Sequence, residues 1–115
     1  MTVRTVYHIA TDEDWRAAEA AGVYRGSAAA RADGFLHFST AEQIVESAAK
    51  HWAGRAGLLL AVDAAKLGAS LKWEPSRGGK LFPHVYGAVS RDAVRSARPL
   101  VLGPDGRHVF PRLEP

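Results

Sequence analysis

An α+β domain is what the sequence predicts, with two helices and five or six mixed strands in a single unit spanning residues 1–115. Three observations predict it. Val3 to Ala10 alternates its side chains in the manner of a pleated strand. Ala41 to Trp52 carries apolar residues at helical spacing. From Gly57 onward, short β-prone runs are separated by Gly, Pro and Asp turn signals. The resulting order is strand, helix, strand, helix, then mostly strands, which lacks the regular alternation of a doubly wound sheet.

Each element has its own reason. In the first strand Val3, Thr5, Tyr7 and Ile9 share one face, and Arg4, Val6, His8 and Ala10 share the other. Thr11 is placed to cap a helix through Ala21, with Asp12, Glu13 and Asp14 opposing its positive end. Gly22 is the natural stop, because it enters the left-handed conformation cheaply. Ser27 to Ala32 is short and small enough for one helical turn. Gly34 to Ser39 reads as a strand with Phe35, His37 and Ser39 on one side and Leu36 and Phe38 on the other. Ser39 then caps the second helix, three residues before Glu42. Ala41, Ile44, Val45, Ala48, Ala49 and Trp52 form its buried stripe. Leu58 to Val62 is a compact apolar run suited to a central strand, and Asp63 caps a turn through Leu67. Leu71 to Glu74 is a strand stopped by Pro75, followed by a mobile glycine loop from Ser76 to Lys80. Val85 to Val89 and Val94 to Leu102 read as strands, the latter an edge because of Pro99. Val109 to Leu113 adds a last one.

Composition narrows the function classes. Hydrophobic residues make up 47% and charged residues 23%, which fits a globular domain and argues against disorder. There is no cysteine, so thiol catalysis and Cys-ligated zinc are excluded, and a cytoplasmic location is the expectation. No apolar run approaches the roughly 18 residues of a membrane span, and no signal peptide is expected. From Arg77 onward seven basic residues face three acidic ones. That imbalance suits a small anionic or nucleotide-like ligand, although a solvated basic face is the plainer explanation. No basic run interleaved with aromatics marks a nucleic-acid binder. The glycine signatures of dinucleotide and P-loop sites are absent.

Three segments place a histidine inside apolar surroundings: Tyr7-His8-Ile9, Asp33 to Thr40 around His37, and Phe82-Pro83-His84-Val85-Tyr86-Gly87. Imidazole donates, accepts or titrates near neutrality, so three such positions suggest a shared pocket. The plain alternative is that each ring only satisfies backbone groups. His37 shares a face with Ser39, and His84 with Tyr86, offering a ring and a hydroxyl two residues apart on each strand. Glu74 follows Trp73 at a strand end and suits a general base or a ribose contact; otherwise it pairs with Arg77 or Lys80 on the surface. His8, His37 and His84 lack the close spacing of a metal motif, and no metal is expected.

These same segments, with Trp15, Gly22-Val23-Tyr24 and Trp73-Glu74, resemble the bacterial family called domain of unknown function 952, from about Val6 to Leu100. That family carries no established activity. It is similar in turn to the ADP-ribosyltransferase superfold, which binds NAD in a cleft between two small sheets. The opening Tyr7-His8-Ile9-Ala10-Thr11, a helix and Gly22 is similar to that of members that modify nucleic acid, the one route by which nucleic acid enters as a partner. The resemblance implies that His8 is the first-motif residue. Ser39 or His37 is the second and Glu74 the third, with the spacing leaving both assignments open. It implies a split-sheet architecture and NAD as cofactor. Taken with the strand faces above, the expected catalytic residues are Glu74 and His37, and the expected ligand contacts are His8, Ser39, Thr40, His84 and Tyr86. Kinship of fold does not establish transfer of ADP-ribose. A non-catalytic binding module and a purely structural or interaction domain remain as alternatives, and the oligomeric state is not legible.

Overall fold

The computed structural model describes residues 3–115, apart from the side chain of Arg77. Four helices and nine strands lie among the described residues, against the two helices and five or six strands expected. The difference comes from two short helices and several two-residue strands that periodicity cannot register, because each is shorter than one period of evidence. All strand pairs are antiparallel, so the expected mixed pairing is corrected.

Strand β1 (Thr5–Ala10) is followed by helix α1 (Asp12–Ala21). The Asp14 N–H donates to Thr11 Oγ1 at 3.0 Å, and Gly22 closes the helix at φ 81°, as the sequence predicts. Strand β2 (Val23–Tyr24) leads to α2 (Ala28–Asp33), capped by Ser27 and stopped by Gly34 at φ 85°. Strand β3 (Leu36–His37) precedes α3 (Ala41–His51). The cap of α3 is Thr40, not Ser39: the Thr40 N–H donates to Gln43 Oε1 at 3.1 Å. Ser39 is held one residue earlier by its strand contacts, and its hydroxyl is bonded to that of Ser47 at 2.8 Å. Ile44 and Ala48 are buried on α3, whereas Val45 and Ala49 are exposed. The apolar stripe is narrower than expected because Ser47 takes a half-buried place beside it.

Strand β4 (Gly57–Asp63) is the apolar central strand. Helix α4 (Ala64–Leu67) follows, capped by Asp63. Strands β5 (Leu71–Pro75) and β6 (Leu81–Val85) form a hairpin. Its connection is tied by the Ser76 N–H donating to Lys80 O at 2.9 Å, so the expected loose loop is a closed turn. Strand β6 begins four residues earlier than expected and runs through Pro83. Pro83 is tolerated because the Phe38 N–H donates to Pro83 O at 3.0 Å, on the side where β3 has already ended. Strand β7 (Val89–Ser90) pairs with β2. Strand β8 (Val94–Leu102) pairs along β4, and β9 (His108–Val109) covers only Val101 and Leu102, leaving Pro99 beyond its reach.

The strands make a larger sheet in the order β1-β4-β8-β9, a smaller one in the order β3-β6-β5, and the β2-β7 ribbon. Both faces of the larger sheet are covered. Val6, Ala10, Leu60 and Val62 pack under α1, Tyr24, Leu36, Phe38 and Val85. Tyr7, Ile9, Leu59 and Leu100 pack under Ile44 and Ala48 of α3, with Phe110 and Leu113 of the C-terminal segment alongside. The alternation read from β1 is therefore right, with apolar cores on both sides. No helix among the described residues is long and apolar enough to cross a membrane.

Leu60 is fully buried at the centre of the larger sheet, while Val45 on α3 is 52% exposed. Leu60→Ala should cost about 2–5 kcal/mol in urea unfolding. Val45→Ala should stay within about 0.5 kcal/mol of the parent.

Candidate active-site cleft

One backbone contact creates the site. Tyr7 and Ser39 exchange both hydrogen bonds, Tyr7 N–H to Ser39 O at 2.7 Å and Ser39 N–H to Tyr7 O at 2.8 Å. Leu36 and His37 belong to the small sheet, and Ser39 already belongs to the edge of the large one. Past Tyr7 the edge of β1 is no longer covered by a strand. By antiparallel alternation, the N–H and C=O of Ile9 point to the same open side as those of Tyr7.

A cleft of about 720 Å³ occupies this opening. His8, His37, Ser39 and His84 all line it, together with Ile9, Tyr24, Phe38 and Ser47. Four of the expected site residues are thus brought together from β1, β3, β6 and the crossing between the sheets. Thr40, Glu74 and Tyr86 are not among the lining residues. Thr40 is occupied as the cap of α3, and Glu74 lies one strand further out on β5.

His8 is held at both ring nitrogens. Nδ1 lies 2.7 Å from the His37 carbonyl and Nε2 lies 2.7 Å from the Tyr24 hydroxyl. Its ring stacks on Phe38 at 4.9 Å between centroids. Burial pushes its pKa down to about 4, the backbone bond to His37 opposing only in part. The ring is therefore neutral at pH 7. A carbonyl only accepts, so Nδ1 carries the proton and donates to it. Nε2 is then bare and accepts from Tyr24 O–H. Burial also pushes the Tyr24 phenol upward, which keeps that donor protonated.

His84 is 6% exposed and is held differently. Its Nδ1 lies 2.9 Å from Glu74 Oε1, and the Tyr86 O–H donates to the same oxygen at 2.7 Å. The bond from Tyr86, then that from His84, holds the Glu74 carboxyl below the usual carboxylate range. The same bond pushes the Tyr86 phenol up. Glu74 therefore pairs with His84 and Tyr86; the Arg77 partner offered by the sequence lies outside the described residues. Phe35 packs against His37, His84 and Tyr86 with centroids 4.5–5.2 Å away. His37 and His84 are register partners, their rings 5.3 Å apart. His37 is 58% exposed, with Nε2 3.5 Å from Asp33 Oδ2.

Sequence reasoning missed Tyr24, Phe38, Ser47, Trp52 and Arg55 as cleft residues. Tyr24 and Phe38 are core residues, and Tyr24 also presents its hydroxyl and Phe38 its ring face to His8. Arg55 lies over the Trp52 ring at 4.2 Å, a pairing that a helix followed by glycines gives no hint of. Among the described residues, no three His, Cys, Asp or Glu side chains gather as a metal-holding group.

The lowered pKa of His8 has a definite consequence for stability. Between pH 6.5 and about 4 the unfolded chain binds the proton and the folded one does not. The stability that neutral His8 contributes is complete above pH 6.5 and lost as pH falls through about 4. The upper bound is about 3 kcal/mol, at 1.36 kcal/mol per unit. Urea unfolding of wild type against His8→Gln should diverge across that interval and run parallel above it. Tyr24→Phe, which removes the donor to Nε2, should cost about 1–3 kcal/mol at pH 7 in the same assay.

The crystal structure of protein CC0527 from Caulobacter crescentus is similar, with a TM-score of 0.86 and 45% identity over 91% of this chain and 93% of that one. The solution NMR structure of the same protein gives a TM-score of 0.78 and 46% identity over 90% of each chain. No curated protein matches the chain. The family model described as "Protein of unknown function (DUF952)" matches residues 9–97, and the chain belongs to that family.

Proposed function

We propose that the cleft binds an NAD-type dinucleotide and that the domain acts on it by breaking the bond to nicotinamide, passing ADP-ribose to water or to another acceptor. The observation that carries this reading is the convergence of His8, His37, Ser39 and His84 on one cleft from separate elements. Its volume of about 720 Å³ falls within the roughly 300–1,000 Å³ usual for small-molecule sites. The open edge of β1 at Ile9 offers a donor and an acceptor side by side, which is what a carboxamide requires. The rings of Phe38, Tyr24 and Trp52 supply apolar wall, and the hydroxyls of Ser39 and Ser47 suit ribose. Arg55 adds a cation for phosphate. Two sheets meeting at a cleft on the first strand is also the arrangement expected of an ADP-ribosyltransferase-like domain.

One observation favours a second reading, a binding module without turnover. Glu74, the carboxylate expected to be catalytic, stands outside the cleft lining and is engaged by His84 and Tyr86. An amide NMR titration with NAD, with ADP-ribose for comparison, separates the readings from a structural role. Shifts at Ile9, Ser39, His84 and Val85 that saturate below about 1 mM are expected. A flat titration removes the NAD reading. Saturable shifts without nicotinamide release, followed by chromatography, leave the binding module.

A further inference from the structure

The histidines of the cleft are not equivalent. Both ring nitrogens of His8 are engaged, by the His37 carbonyl and the Tyr24 hydroxyl. His37 is largely solvated, and its Asp33 partner at 3.5 Å is beyond a good hydrogen bond. His84 alone of the three combines burial, a carboxylate on one nitrogen at 2.9 Å, and a second nitrogen with no partner among the described residues. No side-chain nitrogen or oxygen that is shut off from solvent lacks a partner among them, so that second nitrogen, Nε2, is open to solvent. The residue itself lines the cleft.

A carboxylate only accepts, so Glu74 requires the proton on His84 Nδ1. In the neutral ring Nε2 is then the bare, basic atom. Tyr86 O–H donates to the same Glu74 oxygen and fixes the carboxylate from the far side. The pair arises from register. Glu74 lies opposite Phe82, so His84 is its diagonal neighbour across β5 and β6, within reach of a long side chain.

We propose that His84 is the general base of the cleft, acting through Nε2, with Glu74 and Tyr86 as its positioning residues. The reaction assigned to it rests on the NAD reading above. Water, or an acceptor hydroxyl, attacks the ribose carbon as its bond to nicotinamide breaks. The electron pair of that bond goes to the pyridinium nitrogen, and nicotinamide leaves neutral. The proton of the attacking oxygen goes to His84 Nε2. A neutral leaving group needs no acid, so one base suffices. Glu74 does not do this work itself: it stands outside the cleft lining, its Oε1 takes two donors and its carboxyl is held acidic.

Two measurements on the full chain test the assignment without assuming a substrate. In imidazole ¹⁵N spectra the neutral form of His84 should carry its proton on Nδ1, and Glu74→Gln should weaken that preference. Diethyl pyrocarbonate, read residue by residue by mass spectrometry, should modify His84 at least about fivefold faster than His8, whose nitrogens are both engaged. Glu74→Gln should slow the His84 reaction by a similar factor. A His84 that resists the reagent, or reacts equally in Glu74→Gln, overturns the proposal. NAD that neither protects His84 nor shifts the amides overturns the NAD reading alone, and the reactivity of Nε2 still decides the base. Where nicotinamide is released, His84→Ala should lower kcat by about 10²–10⁴ with little change in KM. Glu74→Gln should lower kcat by about tenfold, again with KM unchanged. Release unaffected in His84→Ala excludes the assignment.

Discussion

The two hydrogen bonds between Tyr7 and Ser39 are the constraint on which the remainder depends. They weld the end of a short strand in the small sheet to the edge of the large one. Only Leu36 and His37 pair with β6 before the chain crosses, so the crossing is abrupt. An abrupt crossing leaves the far half of the β1 edge uncovered, and that uncovered half is the floor of the cleft. A longer β3 would have paired along β1 and filled it. The cleft is thus a product of strand length, with the side chains around it placed by alternation.

Alternation also explains why His8 is half-buried and quiet. It shares a face of β1 with Val6 and Ala10, both in the core beneath α1. A charged ring there would lose hydration that the few polar neighbours cannot replace. Neutrality removes that cost, and the carbonyl of His37 and the hydroxyl of Tyr24 then satisfy both nitrogens. His8 is in this respect part of the wall that aligns β1, β2 and β3, since its bonds reach all three strands. Its neutrality gives the cleft a fixed tautomer facing Tyr24. A wall assembled in this way would lower the ordering cost of any binding against it.

The fold was legible in the sequence where elements are long. The faces of β1, the Thr11 and Gly22 ends of α1, and the buried β4 all follow from period and capping residues. The count of elements did not follow. Two residues of β3 or β7 carry no period, and their strand character comes only from partners distant in sequence. Ser39 illustrates the limit: Ser39 and Thr40 are both good caps, and the choice between them is made by the bonds to Tyr7, which are tertiary. The site was legible in part for the same reason. His8, His37 and His84 stood out as polar residues in apolar strands, and they converge. Glu74 stood out too, but whether a strand residue faces a cleft depends on which strand neighbours it, and sequence does not order strands.

The order β3-β6-β5 decides how Glu74 stands relative to the imidazoles. His37, His84 and Lys72 form one row across the small sheet, from the cleft side outward. Successive strands in such a row stand about 4.8 Å apart, so β5 is too far back for its side chains to form the cleft wall. A carboxylate on β5 reaches the cleft only through a residue on β6, and His84 is that residue. Placing Glu74 directly in the cleft would require a neutralising partner or an elevated pKa in a low-dielectric wall. Placing it behind His84 lets the carboxylate stay ionised and partly solvated, while its influence arrives as a fixed proton position on the imidazole. The sheet order therefore places an imidazole at the cleft and a carboxylate behind it, and an acidic residue on β5 bears on the cleft at one remove.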